Sequence, residues 1–136
     1  MRIKSTVSYP INTPTLNGNI YGKEALELAF KDKAFTELNE AKAIPVHYVT
    51  GSYGSDTIGL ASARLLENGH VEVEAELFDK PIQESLHDED TLNKAGIILS
   101  GMCTKTYEGV LSNIEYREAL LTMHPAIHCS MEIVKE

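Results

Sequence analysis

The stretch Asn68-Gly69-His70-Val71-Glu72-Val73-Glu74-Ala75-Glu76-Leu77 decides the fold class of this chain. Asn-Gly is the strongest short-range signal for a β-hairpin, because both turn positions tolerate a positive φ. The residues that follow alternate strictly between apolar side chains at positions 71, 73, 75 and 77 and glutamates at 72, 74 and 76. This alternation predicts an antiparallel strand with one buried face and one solvated face.

The segments on either side of this hairpin also read as strands. Residues 2–9, 44–49 and 57–66 precede it with a loose two-residue period. Residues 97–104 form a nearly continuous apolar run, which predicts a central strand that is buried on both faces. Residues 110–123 fit neither the strand nor the helix period, and we interpret them as a long strand bent near Glu118. A final strand is expected from the alternation of Ile127, Cys129, Met131 and Ile133.

Two helices are expected among these strands. One covers residues 23–38, with apolar residues at helical spacing, and the other lies within residues 81–95 and ends at Gly96. The chain has no internal repeat, low-complexity tract or linker, so residues 1–136 form a single domain. The elements predict an α+β fold: a mainly antiparallel, partly closed β-barrel with two helices.

Composition excludes several functional classes. The net charge is -8, from 20 acidic and 12 basic residues, and the basic residues are scattered, which argues against a nucleic-acid partner. No apolar run approaches the roughly 20 residues that cross a bilayer, so no membrane partner is expected. The N-terminus shows no secretory signal, which predicts a cytosolic protein. The two cysteines have no zinc-site spacing, and we expect no metal and no cofactor.

The sequence offers candidates for a nucleophile, for a base and for a group that orients the base. Cys103 and Ser100 compete for the nucleophile, and Cys103 has the higher intrinsic reactivity. His47 lies in a strand and is a workable base if a nucleophile is within hydrogen-bond reach. His128 and His124 can orient that base, although both also suit surface positions. These residues fit nucleophilic hydrolysis, whose three roles are defined by geometry and not by sequence order.

Three further motifs resemble those of one protein family. Asn17-Gly18-Asn19-Ile20-Tyr21-Gly22-Lys23-Glu24-Ala25-Leu26 is similar to the entry into that family's first helix. Ile44-Pro45-Val46-His47, Thr57-Ile58-Gly59 and residues 69–77 resemble its histidine strand and the hairpin after it. Ala95-Gly96 through Gly101-Met102-Cys103 resembles the strand that carries its nucleophile. In order and spacing, the chain resembles the prohead (capsid maturation) proteases of tailed bacteriophages, relatives of the herpesvirus assemblin fold.

The resemblance implies a serine-type endopeptidase that cleaves scaffold or capsid-protein tails during head assembly. By position, His47 would be the base, Cys103 the nucleophile, and a later histidine or glutamate the third member, with His128 as the first choice and His124 as the second. Cys103 stands where the family has serine, so the resemblance allows either a cysteine variant or a non-catalytic assembly protein on the same fold. It also implies capsid or scaffold proteins as partners, a homodimer, and a location in the cytoplasm of the bacterial host or inside the prohead or virion.

Overall fold

The computed structural model describes residues 1–50 and 53–135. That part of the chain folds into one curled sheet of seven strands and four α-helices. The strands are β1 (Arg2–Ser8), β2 (Ile44–Thr50), β3 (Tyr53–Leu65), β4 (His70–Leu77), β5 (Gly96–Lys105), β6 (Leu111–Thr122) and β7 (His128–Ile133). The helices are α1 (Lys23–Lys31), α2 (Lys33–Glu40), α3 (Lys80–Leu86) and α4 (Glu89–Lys94).

The sheet has the strand order β5-β6-β2-β3-β4-β1-β7. Its strand pairs are antiparallel except for β2 and β6, which run parallel, so the sheet is mixed. The sheet curls until its two ends approach each other, and the backbone N–H of Ile97 on β5 donates to the buried Ser5 hydroxyl on β1 at 3.1 Å. The α+β class and the partly closed, mainly antiparallel barrel are thereby confirmed.

Strand β5 corrects one expectation, because it is an edge strand and not a central one. Ile97 and Leu99 are buried by the curl of the sheet, which explains why the run looks buried from its composition. From Gly101 to Lys105 the strand is exposed. The apolar run is therefore explained by burial where the sheet curls on itself. Among the described residues, β5 has no second hydrogen-bonded neighbour.

The two expected helices are each divided into two, which is the second correction. Asp32 ends α1 and is the N-cap of α2, where its carboxylate accepts the Phe35 N–H at 3.3 Å. Asp88 divides α3 from α4 in the same way, accepting the Thr91 N–H at 3.0 Å. An aspartate whose side chain accepts hydrogen bonds from the free N–H groups of a first turn favours the start of a new helix over the continuation of the preceding one.

The hairpin predicted at Asn68-Gly69 is present between β3 and β4. The Leu66 N–H donates to the carbonyl of His70 at 2.7 Å, and the turn is a single 3₁₀ turn at Glu67–Gly69. Gly69 has φ +76°, a conformation that favours glycine. The loop is thus one residue longer than the two-residue turn that the Asn-Gly signal suggests.

The bend predicted near Glu118 is a β-bulge in β6. Ser100 pairs with Glu118 and Gly101 pairs with Tyr116, so Arg117 is the extra residue. A side chain at position 101 would clash with the backbone of Glu115, so glycine is required where β5 approaches the bulged strand. The bulge accounts for the irregular hydrophobic pattern of residues 110–123, because an extra residue shifts the two-residue period.

Helices α1 and α2 cover the inner face of the sheet. Phe35 is fully buried there, with its ring centroid 5.1 Å from that of Phe30 and 6.0 Å from that of Tyr116. Deeper in the barrel, Tyr9 and Tyr116 share a hydrogen bond between their hydroxyls at 3.4 Å. Burial raises the pKa of both phenols, so both stay neutral and remain part of the core.

Asn39 holds helix α2 to the sheet. Its side-chain amide donates to the Ala63 carbonyl at 2.9 Å and accepts a hydrogen bond from the Ala63 N–H at 2.7 Å. Ala63 lies on β3 just past the last residue that pairs with β2. We expect Asn39→Ala to lower the free energy of unfolding by about 1–3 kcal/mol, because two backbone groups lose their partner. Urea unfolding measures this change. The exposed Asn93→Ala is the control, and equal losses in the two variants would contradict the prediction.

Within the described residues, no helix combines the length and the apolar character that crossing a membrane requires.

Candidate active site

Ser100, Glu118 and His47 lie on one face of three neighbouring strands. Ser100 on β5 is the direct partner of Glu118 on β6, and His47 on β2 is the partner of Leu120 on β6. Leu99, Ala119 and Val46, the residues beside them along each strand, are buried on the inner face. Since successive side chains of a strand point to opposite faces, Ser100, Glu118 and His47 share the outer face.

Two of these side chains are in contact. Nε2 of His47 lies 3.6 Å from Oε2 of Glu118, and the two side chains are 21% and 39% exposed. This partial burial strengthens their interaction relative to an exposed pair, because less water screens the charges. A carboxylate in this position can fix the orientation of the imidazole and stabilise the imidazolium form.

Two hydroxyls lie beside this pair in strand register: Ser100 on β5 is the partner of Glu118, and Thr57 on β3 is the partner of His47. The backbones of Ser100 and His47 are two strand spacings apart, with β6 between them, and are offset by two residues along β6, which gives a separation of about 12 Å. The two side chains must therefore lean across β6 to share a hydrogen bond. In unliganded enzymes the nucleophile–base contact is often long and shortens when substrate binds.

The structure does not bring Cys103 to His47. Cys103 lies between Met102, which pairs with Glu115, and Thr104, which pairs with Ser112. His47 is level with Leu120, at least five residues further along β6, which is about 17 Å. Cys103 is exposed at the open edge of the sheet, far outside hydrogen-bond reach of the imidazole.

The two thiols differ in accessibility, and this difference can be measured. Cys103 is exposed, whereas Cys129 is half-buried, donates to the Ile127 carbonyl at 3.3 Å and has its pKa raised from 9.0 to about 11 by burial. At pH 8 this leaves Cys129 with about a hundredfold less thiolate than at its ordinary pKa. We expect iodoacetamide to modify Cys103 well before Cys129, as followed by mass spectrometry, with Cys103→Ser as the control. Equal rates at the two thiols would contradict this prediction.

His128 and His124 also lie away from His47. His128 is exposed on β7, where it pairs with Ser8, and strands β3, β4 and β1 separate β7 from β2. His124 is exposed in the turn after β6, and its N–H donates to the Thr122 hydroxyl at 3.1 Å. The geometry gives neither histidine a contact with the expected base.

Glu118 is the functional candidate that the sequence reasoning missed. Its contact with His47 makes it a candidate for the orienting group, the role for which the sequence suggests His128 or His124. The available signal was the irregular pattern of residues 110–123, which indicates a change of phase in the strand. Position 118 was the point at which the bend was expected, but the sequence alone does not say to which face a bend turns a side chain.

A cavity of about 200 Å³ adjoins Ser100 at the open edge of β5. Ile114 and Tyr116 in its lining are buried, so the cavity is on the inner side of the sheet, across the strand from the outer face that carries Glu118 and His47. It is lined in part by Ser100, Cys103, Asn19, Tyr21 and Ile114. Burial raises the pKa of Tyr21, with a smaller contribution from the nearby Cys103 thiol, so the cavity offers a neutral phenol as a hydrogen-bond group. Pockets for drug-sized ligands measure roughly 300–1,000 Å³. This cavity therefore fits one amino-acid side chain better than a small-molecule cofactor.

Residues 1–50 and 53–135 contain no group of three or more His, Cys, Asp or Glu side chains arranged to hold a metal ion. Comparison with known proteins gives no relative: no family model matches the chain, and no curated protein or solved structure is similar to it.

Proposed function

We propose that this protein is an endopeptidase of the serine type, with Ser100 as nucleophile, His47 as base and Glu118 as the group that orients His47. The observation that carries the proposal is the shared outer face of β5, β6 and β2, on which Glu118 pairs with Ser100 and contacts His47 at 3.6 Å. Hydroxyl, imidazole and carboxylate are the three groups that acyl transfer requires, and their order in the chain is immaterial.

In this mechanism the Ser100 hydroxyl attacks the carbonyl carbon of a peptide bond while its proton passes to His47. The C–N bond then breaks, His47 returns the proton to the leaving amine, and an ester remains on Ser100. A water molecule then attacks that ester while one of its protons passes to His47. The acid is released, and His47 returns the proton to the Ser100 oxygen. The Glu118 carboxylate stabilises the imidazolium in both steps through its contact with the ring.

The position of Ser100 on an edge strand supports a polypeptide substrate. Among the described residues β5 pairs with β6 alone, and its exposed half begins directly after Ser100. An extended peptide can add to such an edge through main-chain hydrogen bonds, with side-chain pockets giving specificity. The cavity of about 200 Å³ beside Ser100 can hold one side chain of that peptide.

The resemblance to prohead proteases extends the proposal to its setting. It places the substrate among the scaffold or capsid-protein tails that are removed during phage head assembly. Ser100 supplies the same hydroxyl chemistry as the serine nucleophile of that family, three residues before Cys103, which the resemblance aligns with that serine. In this proposal Cys103 is part of the cavity wall and not the reacting group.

Incubation with a peptide library prepared from a bacterial proteome tests the proposal. We expect new N-termini, identified by mass spectrometry, in the presence of the wild-type protein and none with Ser100→Ala. A preference at the residues flanking the cleaved bond would define the side chain that the cavity accepts. Identical peptide profiles for the two proteins would contradict the endopeptidase proposal.

A second candidate is a non-catalytic assembly protein. The observation that favours it is the tip of the β5–β6 hairpin, where Met102, Tyr107 and Val110 are 74%, 102% and 41% exposed. Apolar side chains that project together into solvent are characteristic of contact surfaces. Sedimentation of the wild-type protein and of Tyr107→Ser separates the two candidates: loss of self-association together with no cleavage favours the assembly role.

A further inference from the structure

The bulge at Arg117 reverses which residues of β6 face the core. Before it, Ile114 and Tyr116 are buried, at 6% and 3% exposure, and after it Ala119 and Leu121 are buried, both at 0%. The buried positions thus change from even to odd numbers. Without the extra residue, Glu118 would face the inner side of the sheet, because the side-chain period of a strand is two.

The side chain of Arg117 stabilises the bulge from the inner side. A bulge disrupts the ladder locally and leaves the extra residue unpaired. Nη1 of Arg117 donates to the Tyr116 carbonyl at 2.7 Å and to Oδ2 of Asp32 at 2.6 Å, and Nη2 lies 3.9 Å from Glu115. The Arg117 and Asp32 side chains are 40% and 26% exposed.

Asp32 is itself fixed in place by the helices. It joins α1 to α2, and the oxygen that binds Arg117 also accepts the Phe35 N–H. Phe35 is fully buried, so this junction has little freedom to move relative to β6. The chain of contacts therefore runs from the helix layer through Asp32 and Arg117 to the bulge.

We infer that Arg117, held by Asp32, is a positioning residue that turns Glu118 toward His47. Only the expected effect of Arg117 on the reaction rate rests on the proposed function; the expected effect on the position of Glu118 does not. Arg117 does not touch the reacting atoms, and its role is to fix the phase of β6 so that the Glu118 carboxylate reaches the imidazole. Misplacement of a catalytic group by about 1 Å costs roughly a hundredfold in rate.

Two readouts test this inference. The first is the set of ¹⁵N chemical shifts of the His47 ring nitrogens, which report its contact with a carboxylate and require no activity. We expect Arg117→Met to move these shifts toward those of Glu118→Gln. The second is the rate of labelling by a fluorophosphonate, which we expect to fall roughly a hundredfold in Arg117→Met. We expect the double variant Arg117→Met, Glu118→Gln to react at the same rate as Arg117→Met alone.

Two controls and one alternative test variant separate positioning from general stability. Arg117→Lys keeps a cation that can donate to both oxygens, so we expect ring-nitrogen shifts close to wild type. Arg64→Met removes an exposed arginine ion pair on β3, away from the bulge, and should change neither readout. Asp32→Asn keeps an N-cap oxygen for α2 and serves if Arg117→Met does not fold.

Wild-type ring-nitrogen shifts in both Arg117→Met and Asp32→Asn would overturn the inference. A wild-type protein that fails to react with the fluorophosphonate would instead contradict the proposed function, and the ring-nitrogen comparison would still decide the role of Arg117.

Discussion

We expect Ser100→Ala to abolish labelling by a fluorophosphonate and His47→Ala to slow it by roughly 10²–10⁴-fold, the usual contribution of a general base. In this reaction the Ser100 oxygen bonds to phosphorus, fluoride leaves, and the hydroxyl proton passes to His47. The expectation follows from the shared outer face of Ser100, Glu118 and His47 and from the 3.6 Å contact within it. The measurement is the second-order rate constant of labelling, followed with a fluorescent probe.

The matched control for Ser100→Ala is Ser62→Ala. Ser62 is a half-buried serine on β3, where it pairs with Glu74, and it has no histidine partner in strand register. We expect this variant to react at the wild-type rate. Undiminished labelling of Ser100→Ala would contradict the assignment of the nucleophile, and loss of labelling in Cys103→Ala alone would return that role to the cysteine.

We expect Phe35→Ala to lower the free energy of unfolding by about 3–5 kcal/mol, the cost of truncating a buried phenylalanine. Phe35 is fully buried between the helices and the sheet, and its ring meets those of Phe30 and Tyr116 edge to face. Its removal leaves a cavity at the centre of the core, and the loss also includes the aromatic contacts. Urea unfolding followed by circular dichroism gives the free energy.

Phe78→Ala is the control for this prediction, because Phe78 is 55% exposed. Its loss should be well below that of Phe35→Ala, since less apolar surface is removed from the core. A loss under about 1 kcal/mol for Phe35→Ala would contradict the packing described here, because buried aromatic truncations cost several times more.

Much of the fold follows from local sequence signals. The hairpin after Asn68-Gly69 and the strand with three glutamates are present because alternation and turn chemistry agree there. The division of the helices could also have been expected, because Asp32 and Asp88 are favoured N-caps inside otherwise helical stretches. The edge position of β5 could not have been expected from the sequence. An apolar run looks the same whether the strand is buried by the curl of the sheet or between two neighbouring strands.

The candidate site was predicted only in part. His47 and Ser100 were among the candidates because a histidine in a strand and a serine at the end of an apolar run are visible in the sequence. Glu118 was not among the candidates, because its face depends on the extra residue at Arg117. Arg117 contacts Asp32, which is 85 residues away in the chain, and such a contact is not visible in a local pattern. Register across β5, β6 and β2 brings Ser100 nearer to His47 than Cys103, and register is a property of the folded sheet.

The most direct test of this account is peptide mapping of the protein after reaction with a fluorophosphonate. The account predicts one phosphonyl group, on the peptide that contains Ser100, and its disappearance in His47→Ala at matched reaction times. An adduct on Cys103 or on another serine, or no adduct on the native protein, would contradict the proposed active site.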